Sequence, residues 1–347
     1  MNKRVLEFDI AKGLAIILMV VGHCNHFFAY DSYVFTLIYG FHMPLFLFLS
    51  GAALRISEDS NPKETSIGAM IKKKFHALLV PYFVVGFISI LLSNPVDIAA
   101  PASVLLVGQA ANADMNFNLP LWFLPMLFCS MVLFWISFCS TRGSKWQMLV
   151  SLLLSAIGGY FVLHRTAFAW SIELAMLSQV FIWAGFTSTP ELCRIFEKPL
   201  HGKKLVCCLC AFSVLLAIYF LSVIHNRRVD MNARLINHPA MFLLNAALGI
   251  VFMLILSHLI RHIPGLNPIV SFLGTHTLDI LCWHIPCANL FYGHVVSQLS
   301  NSVQQVIWGG SGKLIALMLL LLFVIPLSMV LHAVVFSSWR KVRKSQV

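Results

Sequence analysis

Apolar residues gather into ten long runs separated by short polar segments, at 11–30, 35–54, 77–95, 120–140, 147–163, 171–188, 205–225, 239–260, 269–292 and 313–336. A helix needs about 20 mostly apolar residues to cross the hydrocarbon of a bilayer. The pattern therefore predicts an all-α polytopic membrane protein of about ten transmembrane helices. An even number of crossings returns both termini to one side.

Composition agrees with the pattern. The chain is 59% hydrophobic and 11% charged, with mean hydropathy +0.85, where a soluble domain carries roughly 25% charged residues. Basic residues then set the orientation. Of the 24 Lys and Arg, the segments on the side opposite the termini hold Arg165, Arg227, Arg228, Arg234 and Lys313; all others fall on the terminal side. Both termini are thus expected in the cytoplasm. The net charge of +11 is spread over several short loops, so it marks orientation and argues poorly for nucleic acid. The longest gaps, Arg55–His76 and Ser93–Leu119, are too short for a folded domain. Residues 1–347 are read as a single membrane-embedded domain. The basic N-terminus leads into a long apolar run with no small-residue cleavage signal, which reads as an uncleaved first span. The nine cysteines lie mostly in apolar stretches, as small hydrophobes do. Cys207-Cys208-Leu209-Cys210 lacks the paired spacing of a zinc site, so no metal is expected. No internal repeat is evident.

Ionisable groups inside such spans are expensive and mark paths or cavities. Lys12 and His23 are eleven residues apart. At about 100° per residue they share one helix face, separated by roughly 16 Å along the axis. Asp9, three residues before Lys12, is placed to pair with it. His42 stands near Pro44 in the second span, where proline frees a backbone carbonyl. Lys72-Lys73-Lys74 precedes the third span on the terminal side. The ninth span carries His276, Asp279 and His284, with Asp279 one turn from His276. By residue count His23, His42 and His284 all sit roughly 10–12 Å below the outer surface; sequence does not say whether they converge. Among the rest, Glu173 falls near the outer end of the sixth span, His26 near the interface, and Arg227, Arg228 and Arg234 read as solvated loop charge, with a grip on an anionic glycan as the alternative.

The run Asp9-Ile10-Ala11-Lys12-Gly13 followed by Gly22-His23 resembles the membrane-bound acyltransferase-3 family, whose first span carries a basic residue, ten intervening residues and a histidine. Phe41–Gly51 is similar to the family's second span, Leu121-Trp122-Phe123-Leu124 to its Leu-Trp-Phe-Leu element, and Thr277–Pro286 to its late histidine-bearing span. His42-Met43-Pro44-Leu45-Phe46 is similar to the branch of fucose 4-O-acetyltransferases. Lys12 stands where arginine is commoner, which exchanges a bidentate grip for a point charge. Lys72–Lys74 stands where the family has an Arg-x-x-Arg pair.

The resemblance implies an O-acyltransferase of a bacterial inner membrane. Such an enzyme moves an acyl group, in the first place acetyl, from cytoplasmic acyl coenzyme A to a sugar hydroxyl of a surface or lipid-linked glycan. Acetyl coenzyme A would be a co-substrate, with Lys12, Lys72, Lys73 and Lys74 as its binding residues. His23, Lys12, His42 and His284 would form the catalytic set, His23 acting either as general base or as acyl carrier. Two other classes also place polar groups in the membrane. One is a glycan or lipid transporter, which favours inverted repeats and midplane sites. The other is a haem- or metal-binding redox protein, which uses histidines from facing helices.

Overall fold

The computed structural model describes residues 4–23, 32–60, 66–93, 96–108, 115–198, 200–299 and 312–344. Cys24, His26 and the end of the first apolar run lie outside the described residues. The described chain is helical throughout apart from one isolated antiparallel bridge between Asp230 and Leu235. In order the helices are α1 (Leu6–Gly22), α2 (Tyr33–Tyr39), α3 (His42–Ser60), α4 (Ile67–Lys74), α5 (Val80–Leu92), α6 (Ala99–Val107), α7 (Phe123–Thr141) and α8 (Trp146–Leu163). They continue with α9 (Ile172–Leu177), α10 (Gln179–Phe196), α11 (Lys203–Asn226), α12 (Pro239–Ile260), α13 (Leu266–Thr275), α14 (Thr277–Leu290) and α15 (Gly312–Lys344).

Each of the ten apolar runs carries a described helix or helix pair. Seven are long and apolar enough to cross a membrane, and α9 with α10, bent by 53° at their junction, make an eighth. The first and ninth runs depart from expectation. α1 begins at Leu6 and ends at Gly22, so His23 caps the helix and does not lie inside it. The ninth run is two helices, α13 and α14, broken at His276, whose φ of −114° and ψ of 20° leave the helical region. The third run is lengthened at its start. α4 passes through a π turn at Phe75–Leu79 into α5. Pro81, near the start of α5, offers no N–H to the preceding turn, and the helix widens there.

The helices sort into an inner set and an outer set. In the α2–α3 stretch 78% of the apolar window is buried, against 17% in α11 and 22% in α15. α11 turns Leu209, Val214, Phe220 and Leu221 outward, and α15 turns out Leu319, Leu322, Val330 and Val334. Continuous apolar exposure of this kind suits lipid. α1 is enclosed by α3, α12, α13 and α14.

Close helix approach depends on glycines placed reciprocally. A Cβ on Gly13 of α1 would stand 2.0 Å from the Val270 carbonyl oxygen, and one on Gly274 of α13 would stand 1.8 Å from that of Asp9. Gly51 of α3 and Gly185 of α10 make the same exchange with Ile182 and Phe48. Small residues give membrane helices their van der Waals contact where water supplies no driving force. Gly274→Val is expected to push α13 off α1, costing about 1–3 kcal/mol as overpacking does. A lowered melting temperature of the detergent-purified variant checks this.

Candidate active site

Three histidines that are far apart in sequence meet at one end of the inner helices. His23 at the end of α1, His42 at the start of α3 and His284 in the middle of α14 are all brought together. The His284 Nε2 lies 3.2 Å from the His23 Nδ1, and the two ring centres are 5.1 Å apart. Tyr39 stands between the other two, its ring 6.3 Å from that of His23 and 4.7 Å from that of His42. His42 and His284 are buried.

Partner chemistry fixes the tautomers. The His284 Nδ1 faces the carbonyl oxygens of Leu281 at 2.9 Å and Ile280 at 3.1 Å. A carbonyl only accepts, so this nitrogen carries the proton. A neutral His284 then presents a bare Nε2, to which the His23 Nδ1–H must donate. Met19 Sδ, 3.0 Å from the same His23 nitrogen, is a second weak acceptor. That leaves the His23 Nε2 lone pair available. The His42 Nδ1–H donates to the Ile38 carbonyl at 2.9 Å, which also leaves its Nε2 bare.

His23 and His42 line a cavity of about 60 Å³, together with Met19, Tyr39, Trp122 and Asp230–Asn232. It has room for a few waters or one small group. A second cavity of about 450 Å³ lies toward the other end of α1 and is lined by Lys12, Asp9 and Lys74. The two share three wall residues, Phe46, Phe123 and Leu281. The larger cavity runs on into a third of about 350 Å³, with Asp9, Lys12, Leu49 and Ala53 in both walls and Arg4 at its edge. A basic, open vestibule thus backs onto a small histidine chamber through an apolar septum.

The lysines divide. Lys12 keeps its pairing with Asp9 at 3.7 Å, and Arg4 also bonds Asp9. Lys74 lines the vestibule beside Lys12. Lys72 and Lys73 are exposed and not among its wall residues. Successive helical positions diverge by about 100°, so a run of three cannot aim at one cavity. The break at His276 brings the first turn of α14, Thr277 and Leu278, into the vestibule wall along with Thr275. A helix N-terminus carries partial positive charge and unpaired N–H groups, which suit an anion.

Other sequence expectations are corrected. Asp279 pairs with His332 of α15 at 3.3 Å, while the His276 Nδ1 turns to the Phe272 carbonyl at 2.9 Å. Arg234 is no solvated loop charge. It is 3% exposed against a Glu173 that is 0% exposed. Its Nε–H donates to the Glu173 Oε1 at 3.0 Å, and its Nη2 donates to the Ser171 hydroxyl at 3.1 Å. The second Glu173 oxygen accepts from the Phe168 N–H at 3.0 Å. This pair pins the loop Arg227–His238 over the histidine chamber. Within that loop the Asp230 and Leu235 backbones bond reciprocally at 2.7 and 2.9 Å, and the Asn237 amide donates to the carbonyls of Asn226 and Arg228.

Sequence reasoning missed Tyr39, Asp230, Asn232 and Arg4. The first three enter only through tertiary packing. Arg4 was visible as a cation near Asp9 but was counted only for orientation. Among the described residues no group of three or more His, Cys, Asp or Glu stands close enough to share a metal ion.

The inner bundle thus holds a cationic vestibule toward one end of α1 and paired imidazoles at the other. Residues 5–335 match the family described as acyltransferase domain, and the chain belongs to that family. It is a multi-pass membrane acyltransferase, and the transporter and redox-protein readings give way to that assignment. The chain is also 37% identical over 81 residues to nodulation protein NolL of Mesorhizobium japonicum. That match covers 21% of this chain and 18% of the relative. It supports the family without reaching the fucose-specific branch. No solved structure matches the chain.

Proposed function

We propose that the chain is an O-acetyltransferase that moves an acetyl group from cytoplasmic acetyl coenzyme A to a sugar hydroxyl of a surface or lipid-linked glycan, in a bacterial inner membrane. One observation carries the reading. The Lys12–Lys74 vestibule and the His23 chamber lie toward opposite ends of α1 and share the wall residues Phe46, Phe123 and Leu281.

Coenzyme A is polyanionic. Arg4, Lys12, Lys74 and the first turn of α14 suit its phosphates. The pantetheine arm runs along the apolar wall of Leu49, Leu124 and Leu127 to the septum, and delivers the thioester carbonyl to the histidines. The His23 Nε2 takes the proton of the acceptor hydroxyl as its oxygen attacks that carbonyl. The new C–O bond forms, the C–S bond breaks, and the imidazolium returns its proton to the departing thiolate. His284, which accepts the His23 Nδ1–H, holds the ring in that tautomer and stabilises the cation. His42 offers its own Nε2 to the acceptor. Lys72 and Lys73 then belong to the headgroup-facing surface.

Two measurements test the proposal. Mass spectrometry of glycan from cells with and without the gene is expected to show a loss of acetyl-sized mass in its absence; identical glycans refute it. Lys12→Ala is expected to raise the KM for acetyl coenzyme A more than Lys12→Arg, because arginine keeps the charge. Equal losses would assign Lys12 to packing.

A further inference from the structure

The loop Arg227–His238 supplies part of the wall of the histidine chamber, and the transfer chemistry gives that part no task. Its residues there are Asp230, Met231 and Asn232. Asn232 is half-buried, and its Oδ1 is sealed from solvent with no hydrogen-bond partner among the described residues. A buried acceptor without a donor is costly, and native proteins seldom leave one unless something else fills the place. Asp230 has one oxygen on the Ala233 N–H at 3.2 Å and the other in an ion pair with Arg228 at 3.3 Å, which leaves lone pairs on both for a further donor. The Trp122 ring completes the same wall set. The loop is held rigid by the buried Arg234–Glu173 pair and by its own backbone bonds.

Resting on the O-acetyltransferase reading, we propose that Asn232 and Asp230 form the acceptor-recognition site. They accept hydrogen bonds from hydroxyls neighbouring the one acylated. The physical case is one of matched deficits. The Asn232 Oδ1 needs a donor, a sugar carries many O–H donors, and each hydroxyl arriving from water must recover a lost hydrogen bond. Asp230 accepts the same way. Its charge is already balanced by Arg228 at 3.3 Å, so its part in recognition is that of a hydrogen-bond acceptor. Trp122 offers apolar surface in the chamber wall to the edge of a pyranose ring that enters it. A site that has buried polar groups to satisfy rejects analogues lacking the matching hydroxyl far better than a purely apolar pocket does.

The test uses the full chain in membrane vesicles, radiolabelled acetyl coenzyme A, and glycan lipid extracted from the producing cells as the acceptor. Asn232→Ala is expected to raise the half-saturating amount of extract by about tenfold, the loss of one well-made hydrogen bond. The half-saturating acetyl coenzyme A should stay within about twofold on the same principle, since the donor lies beyond the septum. Asn232→Asp keeps an acceptor oxygen and should recover most of the affinity. Asp230→Ala should raise the half-saturating amount of extract in the same direction, and Asp230→Asn, which keeps an acceptor oxygen, should raise it less. Unchanged extract dependence in Asn232→Ala, with His23→Ala inactive, overturns the loop's role and leaves the transfer reading intact. Equal rises for donor and acceptor overturn it as well, by showing a structural effect. Full transfer by His23→Ala overturns the underlying base instead.

Discussion

Replacing His23 by alanine abolishes acetyl transfer while the protein still inserts and accumulates. A positioned base contributes roughly 10²–10⁴ in rate, and a sugar hydroxyl is a poor nucleophile without one. The ring is at a helix end, and its partners are Met19 and the His284 nitrogen, so its removal opens space without stranding a charge. His284→Ala should lower kcat in the same direction but by less, because the base survives with its tautomer unfixed. Groups that act as one unit are not additive. The double variant should therefore be no slower than His23→Ala alone. Initial rates with labelled acetyl coenzyme A in vesicles measure all three. Wild-type product from His23→Ala would end the assignment, and a double variant much worse than the single would separate the two rings.

Arg234→Met carries the second large effect, on stability. It leaves the Glu173 carboxylate buried opposite an apolar side chain, with only the Phe168 N–H left to it of the bonds described above. Breaking a buried pair from one side costs about 3–5 kcal/mol, whereas replacing both members by apolar groups is close to neutral. Arg234→Met should thus melt well below the parent, and Glu173→Leu/Arg234→Met should regain most of the loss. Because Arg234 fixes the loop over the histidine chamber, the single variant should also lose affinity for acceptor before it loses affinity for donor. Thermal denaturation in detergent and the two KM values decide it. A single variant as stable as the parent would show that the loop does not depend on the pair.

The helical runs and the site's chemistry were legible for different reasons. Apolar length is a local property, so ten runs could be read directly, and each holds described helix. The eleven-residue spacing put Lys12 and His23 on one helix face, but it could not show that His23 caps α1 instead of lying within it. The meeting of His23, His42 and His284 was framed only as a matched depth. Lateral convergence depends on packing that glycines such as Gly13 and Gly274 permit, and no periodicity reports it. The break at His276 was missed because a one-residue departure from helix barely alters hydropathy. Arg234 was misread because a charge between apolar runs looks solvated until its buried partner, Glu173, is found 61 residues away. The Lys72–Lys74 run shows the opposite error. Like residues in sequence suggest one function, yet a helix fans them out, and only Lys74 reaches the vestibule.

The apolar septum bears on the electrical life of the cell. A catalyst with watery recesses on both sides of a bilayer risks becoming a leak for protons and metal ions. Phe46, Phe123 and Leu281 are the residues that the two recesses have in common, and an ion passing them must shed its hydration with nothing to replace it. On the proposed reading a slender, uncharged thioester tail slips between these three apolar side chains where a hydrated cation cannot, and acyl groups would pass while the proton gradient is kept.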